Sequence, residues 1–308
     1  MTSFSIALTN VLVMLFYLVP GYIVRKMHKA SEDHLPTLSA LLVYIGTPFL
    51  EVSQFLTLDF DVGILLNMGL FFVITLVAQG AFMVIVWFVL RDRGNAFNRV
   101  LVAASAMGNV GFFGAPLTRA LLPDFPEAPC YIVMYMLSMN LLVFTVGTFF
   151  ITGDRKYISV RSLLFNPTTF GLVIALPCFI FGLKNYLPAA LVGAVTNVGN
   201  MTAPLCMFIL GIRLASAPLK DLLRYKRAFF APLLKLVLYP LFAFALVYFL
   251  PIPYTLKAVT LVVSSVPCAS VLLSLSEMYK GERAFAANCI LTSTLLCFLT
   301  IPVLMLLL

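Results

Sequence analysis

Ten long apolar segments run along this sequence, and they constrain the fold more than any other feature. Most are close to the roughly 20 residues that an α-helix needs to cross a bilayer. They cover residues 4–24, 36–57, 63–90, 97–122, 129–152, 168–187, 189–213, 228–250, 256–279 and 284–308. The chain is 62% hydrophobic and only 10% charged, which is too little charge to give a soluble domain a polar surface. The sequence therefore predicts an all-α integral membrane protein with ten transmembrane helices.

The length of the chain limits the classes of function. Ten spanning helices and their loops use nearly all of the 308 residues, so no room remains for a soluble catalytic domain. An intramembrane enzyme would need a cluster of acid and base groups or of metal ligands at one membrane face, and the segments contain no such cluster. We therefore expect no enzymatic activity, no cofactor and no metal site.

Cationic residues alternate between the loops. Of the 20 Lys and Arg residues, 16 follow segments 1, 3, 5, 7 and 9. Because Lys and Arg accumulate in cytoplasmic loops, these loops are predicted to be cytoplasmic and both termini to lie outside, in a bacterial inner membrane or a plasma membrane. The net charge of +8 is then an orientation signal, and no nucleic-acid partner is expected.

A polar stretch at residues 153–166 divides the segments into two sets of five. Because five is odd, residues 1–152 and 167–308 are predicted to form two inverted five-helix repeats joined by a cytoplasmic linker. Segments 4 and 9 are rich in small residues and are predicted to be broken. The residues that indicate the breaks are Gly108, Gly111, Gly114, Pro116 and Pro267. Discontinuous helices at matching positions of two repeats indicate a binding site near the membrane centre.

The glycine-rich stretch around Asn109 has two interpretations. A break there would free N–H groups that attract an anion, with Asn109 as a binding amide. The alternative is close packing of an unbroken helix through its small residues. In segment 9, Pro267 lacks an N–H group, so a carbonyl four residues earlier loses its helical bond.

Two ionisable residues lie deep in apolar segments, Glu51 in segment 2 and Lys235 in segment 8. Intramembrane ionisable groups are functional candidates. Glu51 could carry a proton, or it could be partnered by an amide or face an external vestibule. Lys235 could attract an anion, or its long stem could bring the ammonium group to the interface.

Three short motifs lie in segments 2, 4 and 9. They are Thr47-Pro48-Phe49-Leu50, Asn109-x4-Gly114-x-Pro116-Leu117, and Pro267 followed twelve residues later by Tyr279. In this order and spacing they resemble the auxin efflux carrier family, whose bacterial members include proposed malate and malonate transporters. The similarity covers essentially the whole chain, and the family shares its broad fold with bile acid:sodium symporters.

The resemblance implies that broken helices 4 and 9 cross near the membrane centre. It implies a scaffold of helices 1, 2, 6 and 7 that mediates homodimerisation, and a transport domain of helices 3 to 5 and 8 to 10 that moves as an elevator. It also implies a carboxylate substrate contacted from helices 2, 4 and 5. The candidate substrate-binding residues are then Thr47, Glu51, Asn109 and Asn140.

The chain departs from plant members of that family. It lacks their long cytoplasmic loop, and segment 3 offers only Gln79 in place of a charged pair. We expect a secondary transporter for a small organic anion, malate-like, malonate-like or auxin-like, with Glu51 and Lys235 as candidates for coupling to a proton or sodium ion. The alternatives are a sodium-coupled symporter of the bile-acid type and a membrane sensor that binds such ligands without transporting them.

Overall fold

The computed structural model describes residues 2–90, 92, 94–152, 165–216, 226–278 and 282–308. Within these residues all regular structure is helical, apart from one isolated β-bridge. Seven helices are long and apolar enough to cross a membrane, and three further apolar helices are shorter. The prediction of an all-helical integral membrane protein is therefore confirmed.

We number the helices in chain order and give two parts to each of the two that are interrupted. They are α1 (Ser3–Lys26), α2 (Glu32–Phe55), α3 (Val62–Val89), α4a (Ala96–Ala106), α4b (Ala115–Leu121), α5 (Ala128–Thr152), α6 (Pro167–Ile180), α7 (Ala189–Ser216), α8 (Arg227–Tyr248), α9a (Tyr254–Ser264), α9b (Val271–Met278) and α10 (Arg283–Leu307). Most of the predicted linker, residues 153–164, lies outside the described residues, as does Tyr279.

Polar side chains cap the starts of several helices. Asp61 Oδ1 accepts a hydrogen bond from the Ile64 N–H at 2.9 Å at the start of α3, and Asn166 Oδ1 accepts one from the Thr168 N–H at 2.9 Å at the start of α6. The first N–H groups of a helix have no carbonyl partner within it, so these caps satisfy donors that lipid cannot.

Three helices contain a wide π-helical turn just before a proline. The turns are Leu42–Gly46, Val110–Gly114 and Leu233–Leu238, and the prolines follow two positions later, at 48, 116 and 240. In these three helices the missing N–H group of proline and the crowding by its ring favour local widening. A fourth π-helical turn, Val143–Gly147 in α5, has no proline after it. Such turns re-aim side chains and are frequent at functional sites.

Helices α1 and α7 pack backbone to backbone through two glycines. A methyl group at Gly21 would overlap the carbonyl of Phe208, and one at Gly211 would overlap the carbonyl of Leu18. Small residues allow this close approach, which supplies van der Waals contact where no hydrophobic force acts between helices in lipid. Helix α2 approaches α7 in the same way, because a side chain at Gly199 would meet the backbone of Leu50.

Helices α3, α5 and α8 are joined by polar and aromatic contacts. Ser138 of α5 shares a 2.9 Å hydrogen bond with Thr75 of α3 and accepts one from Gln79 Nε2 at 2.8 Å. The rings of Phe82 in α3 and Tyr239 in α8 lie 5.3 Å apart. Elsewhere α1 packs on α7, and α2 packs on α6 and α7. We call α1, α2, α6 and α7 the first set of helices and α3 to α5 with α8 to α10 the second set; α1 also packs against α4b and α10 of the second set.

We expect Gly211→Ala to lower the free energy of unfolding by about 1–3 kcal/mol, because its methyl group overlaps backbone that cannot move aside. Gly193→Ala, in the same helix, is the matched control: nothing lies within 4 Å of the added carbon, so the gain in helix propensity should raise stability by up to about 1 kcal/mol. Thermal unfolding in detergent measures both. Equal effects at the two positions would contradict the close contact.

Candidate functional site

Helix α4 stops in the middle of the bundle. The last helical bond of α4a joins the Met107 N–H to the Ala103 carbonyl at 3.3 Å. Asn109 then has φ −78° and ψ 61°, which is not a helical conformation. The chain resumes in the π-helical turn at Val110–Gly114 and continues as α4b. The interruption falls within the glycine-rich stretch in which the sequence indicated a break.

Helix α9 stops because the next backbone N–H groups, which would continue its hydrogen bonds, are missing or bond to other groups. Pro267 has no N–H group. The N–H of Cys268 donates to Ser293 Oγ of α10 at 3.1 Å instead of to the carbonyl of Ser264, the last residue of α9a. A side chain from a neighbouring helix therefore replaces a helical hydrogen bond at the break.

The two interruptions lie against each other. The Asn109 N–H donates to the Pro267 carbonyl at 2.8 Å, and the Ala269 N–H donates to the Met107 carbonyl at 3.0 Å. These bonds pair Gly108 with Cys268 in an antiparallel bridge. An unsatisfied backbone group costs several kcal/mol in lipid, so each break supplies partners that the other needs.

Lys235 reaches this contact from α8. Its side chain is 0% exposed, and Nζ donates to the Ser264 carbonyl at 2.6 Å. The ammonium group also lies 4.9 Å from the centre of the Tyr239 ring. A carbon added at Gly108 would lie 3.2 Å from Nζ. The interpretation that Lys235 extends to the interface is therefore wrong, because its ammonium group ends between the two breaks.

Asn109 lies at the break with its amide turned toward α7. Its side chain is 7% exposed, and Nδ2 is 3.8 Å from Cys206 Sγ. A thiol sulfur is a weak acceptor, so this contact leaves most of the hydrogen-bonding capacity of the amide available. Asn109 therefore lies where the second set of helices meets the first.

The two candidates on α2 have different surroundings. The Thr47 hydroxyl is buried and donates to the Leu42 carbonyl of its own helix at 3.2 Å. Glu51 is 1% exposed, and neither of its carboxyl oxygens has a hydrogen bond of standard geometry. Its polar neighbour is the Thr168 side chain, and a methyl group at Gly171 would overlap Oε2. Glu51 thus faces the first two turns of α6.

Asn140 lies at the start of α6 rather than at the crossing. Its Nδ2 contacts Asn166 Oδ1 at 3.4 Å, and Asn166 also caps α6. No hydrogen bond joins Asn140 to Asn109 within the part of the chain that the structure describes. The predicted residues therefore form two groups, one at the breaks and one around the start of α6 that includes Glu51.

Two of the three remaining predicted crossing residues line a narrow space between the two sets of helices. Gly111 and Pro116 border a cavity of about 40 Å³ together with Gly199 and Asn200 of α7. The guanidinium of Arg119 donates to Asn200 Oδ1 at 3.3 Å across the same gap. Gly114 packs instead against Val110 and Val263. At this end of the bundle the two sets are nearly in contact.

A cavity of about 650 Å³ opens at the opposite end. Its polar lining contains two arginines and two acids, Arg213, Arg283, Glu32 and Asp33, and its apolar lining comes from α2, α7, α9b and α10. No group of three or more His, Cys, Asp or Glu side chains among the described residues could hold a metal ion. The two ends of the same interface therefore differ strongly in openness.

Tyr135 and Tyr239 form a contact that sequence analysis did not identify. Their hydroxyls are 2.9 Å apart, and Tyr135 Oη also contacts the Ala106 carbonyl at the end of α4a at 3.5 Å. Tyrosines in spanning helices usually mark the two interfaces. Their positions inside apolar segments, away from the ends, were the signal that could have identified them.

These features define a multi-pass membrane protein built around two interrupted helices. A family profile described as "membrane transport protein" matches residues 6–305. The chain belongs to this family, which is the auxin efflux carrier family that its motifs resemble. It is therefore a membrane transport protein by family.

Two archaeal relatives are similar along nearly their whole length. The chain is 27% identical over 299 residues to the uncharacterized transporter MJ1031 of Methanocaldococcus jannaschii, covering 94% of this chain and 95% of the relative. It is 23% identical over 298 residues to an uncharacterized transporter of Methanothermobacter thermautotrophicus, with 95% of both chains covered. Neither relative's name specifies a substrate.

We expect Ser293→Ala to lower the free energy of unfolding by about 1–3 kcal/mol, because it leaves the buried Cys268 N–H without its acceptor. Ser105→Ala is the matched control: that serine is also 0% exposed, but its hydroxyl donates only to a carbonyl of its own helix. Thermal unfolding of the two variants measures the difference. A loss at Ser105 as large as at Ser293 would contradict the capping role.

Proposed function

We propose that this chain is a secondary transporter that moves a small organic anion, a carboxylate of the malate, malonate or auxin kind, by alternating access. The observation that carries the proposal is the contact between the two interrupted helices, with a buried ammonium group and an amide beside it. Broken helices place partial charges and backbone polar groups in the middle of a membrane, where they can replace the water around a charged substrate.

Asn109 is the proposed anion contact. It precedes the turn that begins α4b, so its amide lies near the positive end of that half-helix. Its only side-chain hydrogen bond within the described residues is the long contact to Cys206 Sγ, which a carboxylate oxygen can replace with a stronger bond. Asn140 and Thr47 would act only in another state of the cycle, because both are turned to other partners here.

The unequal cavities support alternating access. The interface between the two sets of helices is open in a space of about 650 Å³ at one end and nearly closed at about 40 Å³ at the other. The closed end is lined by small residues such as Gly111, Ala115 and Gly199, which give a smooth surface for one set to slide on the other. We propose an elevator in which α3 to α5 and α8 to α10 move against α1, α2, α6 and α7.

The remaining expectations enter the same proposal. Residues 1–152 and 167–308 would be inverted five-helix repeats, and the interruptions support this because each occurs in the fourth helix of its half. The protein would lie in a bacterial inner membrane or plasma membrane as a homodimer, with both termini outside. In that orientation the large cavity opens to the cytoplasm, because it is bordered by the loops that carry the excess of Lys and Arg.

Glu51 is the proposed proton carrier. A buried carboxyl group without a hydrogen bond of standard geometry is far less costly when neutral than when charged, and this one lies at the interface of α2 with α6. A change in its hydration during the cycle would let it take up a proton on one side and release it on the other.

Uptake of radiolabelled malate, malonate and indole acetate into proteoliposomes tests the proposal. We expect at least one of these to be transported, and we expect Asn109→Ala to reduce its transport at least tenfold, since about 1.4 kcal/mol of lost binding gives that factor. Asn197→Ala is the control, because Asn197 is exposed on α7. Unchanged transport and binding in Asn109→Ala would remove this residue from the site.

The proton role has a separate test in the same vesicles. If Glu51 carries the proton, wild-type uptake rises when the outside of the vesicles is more acidic than the inside. Glu51→Gln keeps the shape of the side chain but cannot ionise, so its transport rate should not depend on the proton gradient. Asp124→Asn is the control, because this acid is exposed in the loop after α4b. A gradient response that survives in Glu51→Gln would exclude the role.

A further inference from the structure

The end of α9a concentrates backbone carbonyls that have lost their helical donors. The donor for the Val263 carbonyl would be the N–H of residue 267, which is a proline. The donor for Ser264 is the Cys268 N–H, which bonds Ser293 instead. The donor for Ser265 is the Ala269 N–H, which bonds Met107. Three consecutive carbonyls at the end of α9a are thus separated from their usual partners.

The C-terminal end of α4a lies against the C-terminal end of α9a. The Asn109 N–H, which would continue α4a, bonds Pro267 instead. The Ala104 carbonyl receives the thiol of Cys268 at 3.6 Å, a weak donor. Each helix C-terminus carries a partial negative charge of roughly half an electron. The meeting of two such ends in an apolar interior therefore creates a site that favours a cation.

The Lys235 ammonium group occupies this position. It is 0% exposed and donates to the Ser264 carbonyl at 2.6 Å, and it lies over the Tyr239 ring at 4.9 Å. The structure gives it no acidic ion-pair partner among the described side chains. Carbonyl oxygens and half-helix C-termini are the groups that coordinate a bound Na⁺ in transporters with broken helices, and the ring of Tyr239 adds attraction for any cation.

We propose that Lys235 is a built-in cation: its ammonium group fills the position that a sodium ion would otherwise take at the crossing, so the protein neither binds nor requires sodium there. Lysine is suited to this role because its compact ammonium group stands on a flexible stem. The side chain enters from α8 at the wide turn Leu233–Leu238, and Gly108 leaves space beside it, since a carbon there would come within 3.2 Å of Nζ. Only the consequence for transport rests on the proposed function.

Thermal unfolding of the purified chain tests the proposal without any substrate. Wild type is heated in NaCl and in choline chloride of equal ionic strength, and we expect equal melting temperatures because the site is already filled. Lys235→Ala should melt at a lower temperature in choline. Sodium should then raise its Tm by about 3 °C at a concentration ten times the dissociation constant. Lys235→Arg should keep a cation and remain insensitive to sodium.

Lys257→Ala is the matched control. Its ammonium group also donates to a carbonyl, that of Tyr248 at 2.9 Å, and also lies over a tyrosine ring, at 6.0 Å, but it does so at the end of α8 rather than at the breaks. We expect no sodium response in this variant. If Lys235→Ala does not fold, Lys235→Met, which also removes the charge, takes its place with the same expected response to sodium, and the wild-type comparison of NaCl with choline chloride still applies.

Specific stabilisation of wild type by sodium would overturn the proposal, because it would mean that Lys235 leaves a cation site open. The absence of a sodium response in Lys235→Ala would also overturn it, whether or not that variant is less stable than wild type. In proteoliposomes we expect equal wild-type uptake in sodium and choline media. If no carboxylate is transported at all, the proposed function fails, while the thermal result still decides the role of Lys235.

Discussion

A helix can be interrupted inside a membrane only if another group satisfies the backbone that the interruption exposes. In this chain the two interruptions satisfy each other: Asn109 bonds Pro267, and Ala269 bonds Met107. Neighbouring helices add two further partners, the hydroxyl of Ser293 for the Cys268 N–H and the ammonium group of Lys235 for the Ser264 carbonyl. Helices α8 and α10 therefore each bring a polar group to a place where lipid offers none, and α5 adds the hydroxyl of Tyr135 beside the Ala106 carbonyl.

The sequence was sufficient to predict the helical membrane architecture and the place of both interruptions, because these depend on local properties. Apolar length indicates a spanning helix, and glycine or a missing proline N–H group indicates a weak point wherever it occurs in a span. The surroundings of individual side chains could not be predicted in this way. The ammonium group of Lys235 lies between the breaks, and the amide of Asn140 lies at the start of α6. These positions depend on how each helix is rotated about its own axis against its neighbours, which no local sequence pattern encodes.

The candidate polar residues are divided between two environments rather than collected in one pocket. Lys235 and the backbone of both breaks belong to the set of helices that contains α4 and α9, whereas Glu51 belongs to α2 and faces α6. Asn109 lies at the boundary, with its amide toward Cys206 of α7. If one set of helices slides along the other, the charge at the crossing travels with the substrate, while the carboxyl group of Glu51 stays fixed in the membrane.

The glycine contact between α1 and α7 has a consequence for how the protein is made. Gly21 and Gly211 each leave room for the backbone of the other helix, yet the ribosome, at roughly 5–20 residues per second, needs about 10–40 s to synthesise the chain between them. During that interval α1 is in the bilayer without the surface it is shaped to meet. The first helix to be inserted therefore completes its packing only after the second half of the chain has begun to emerge.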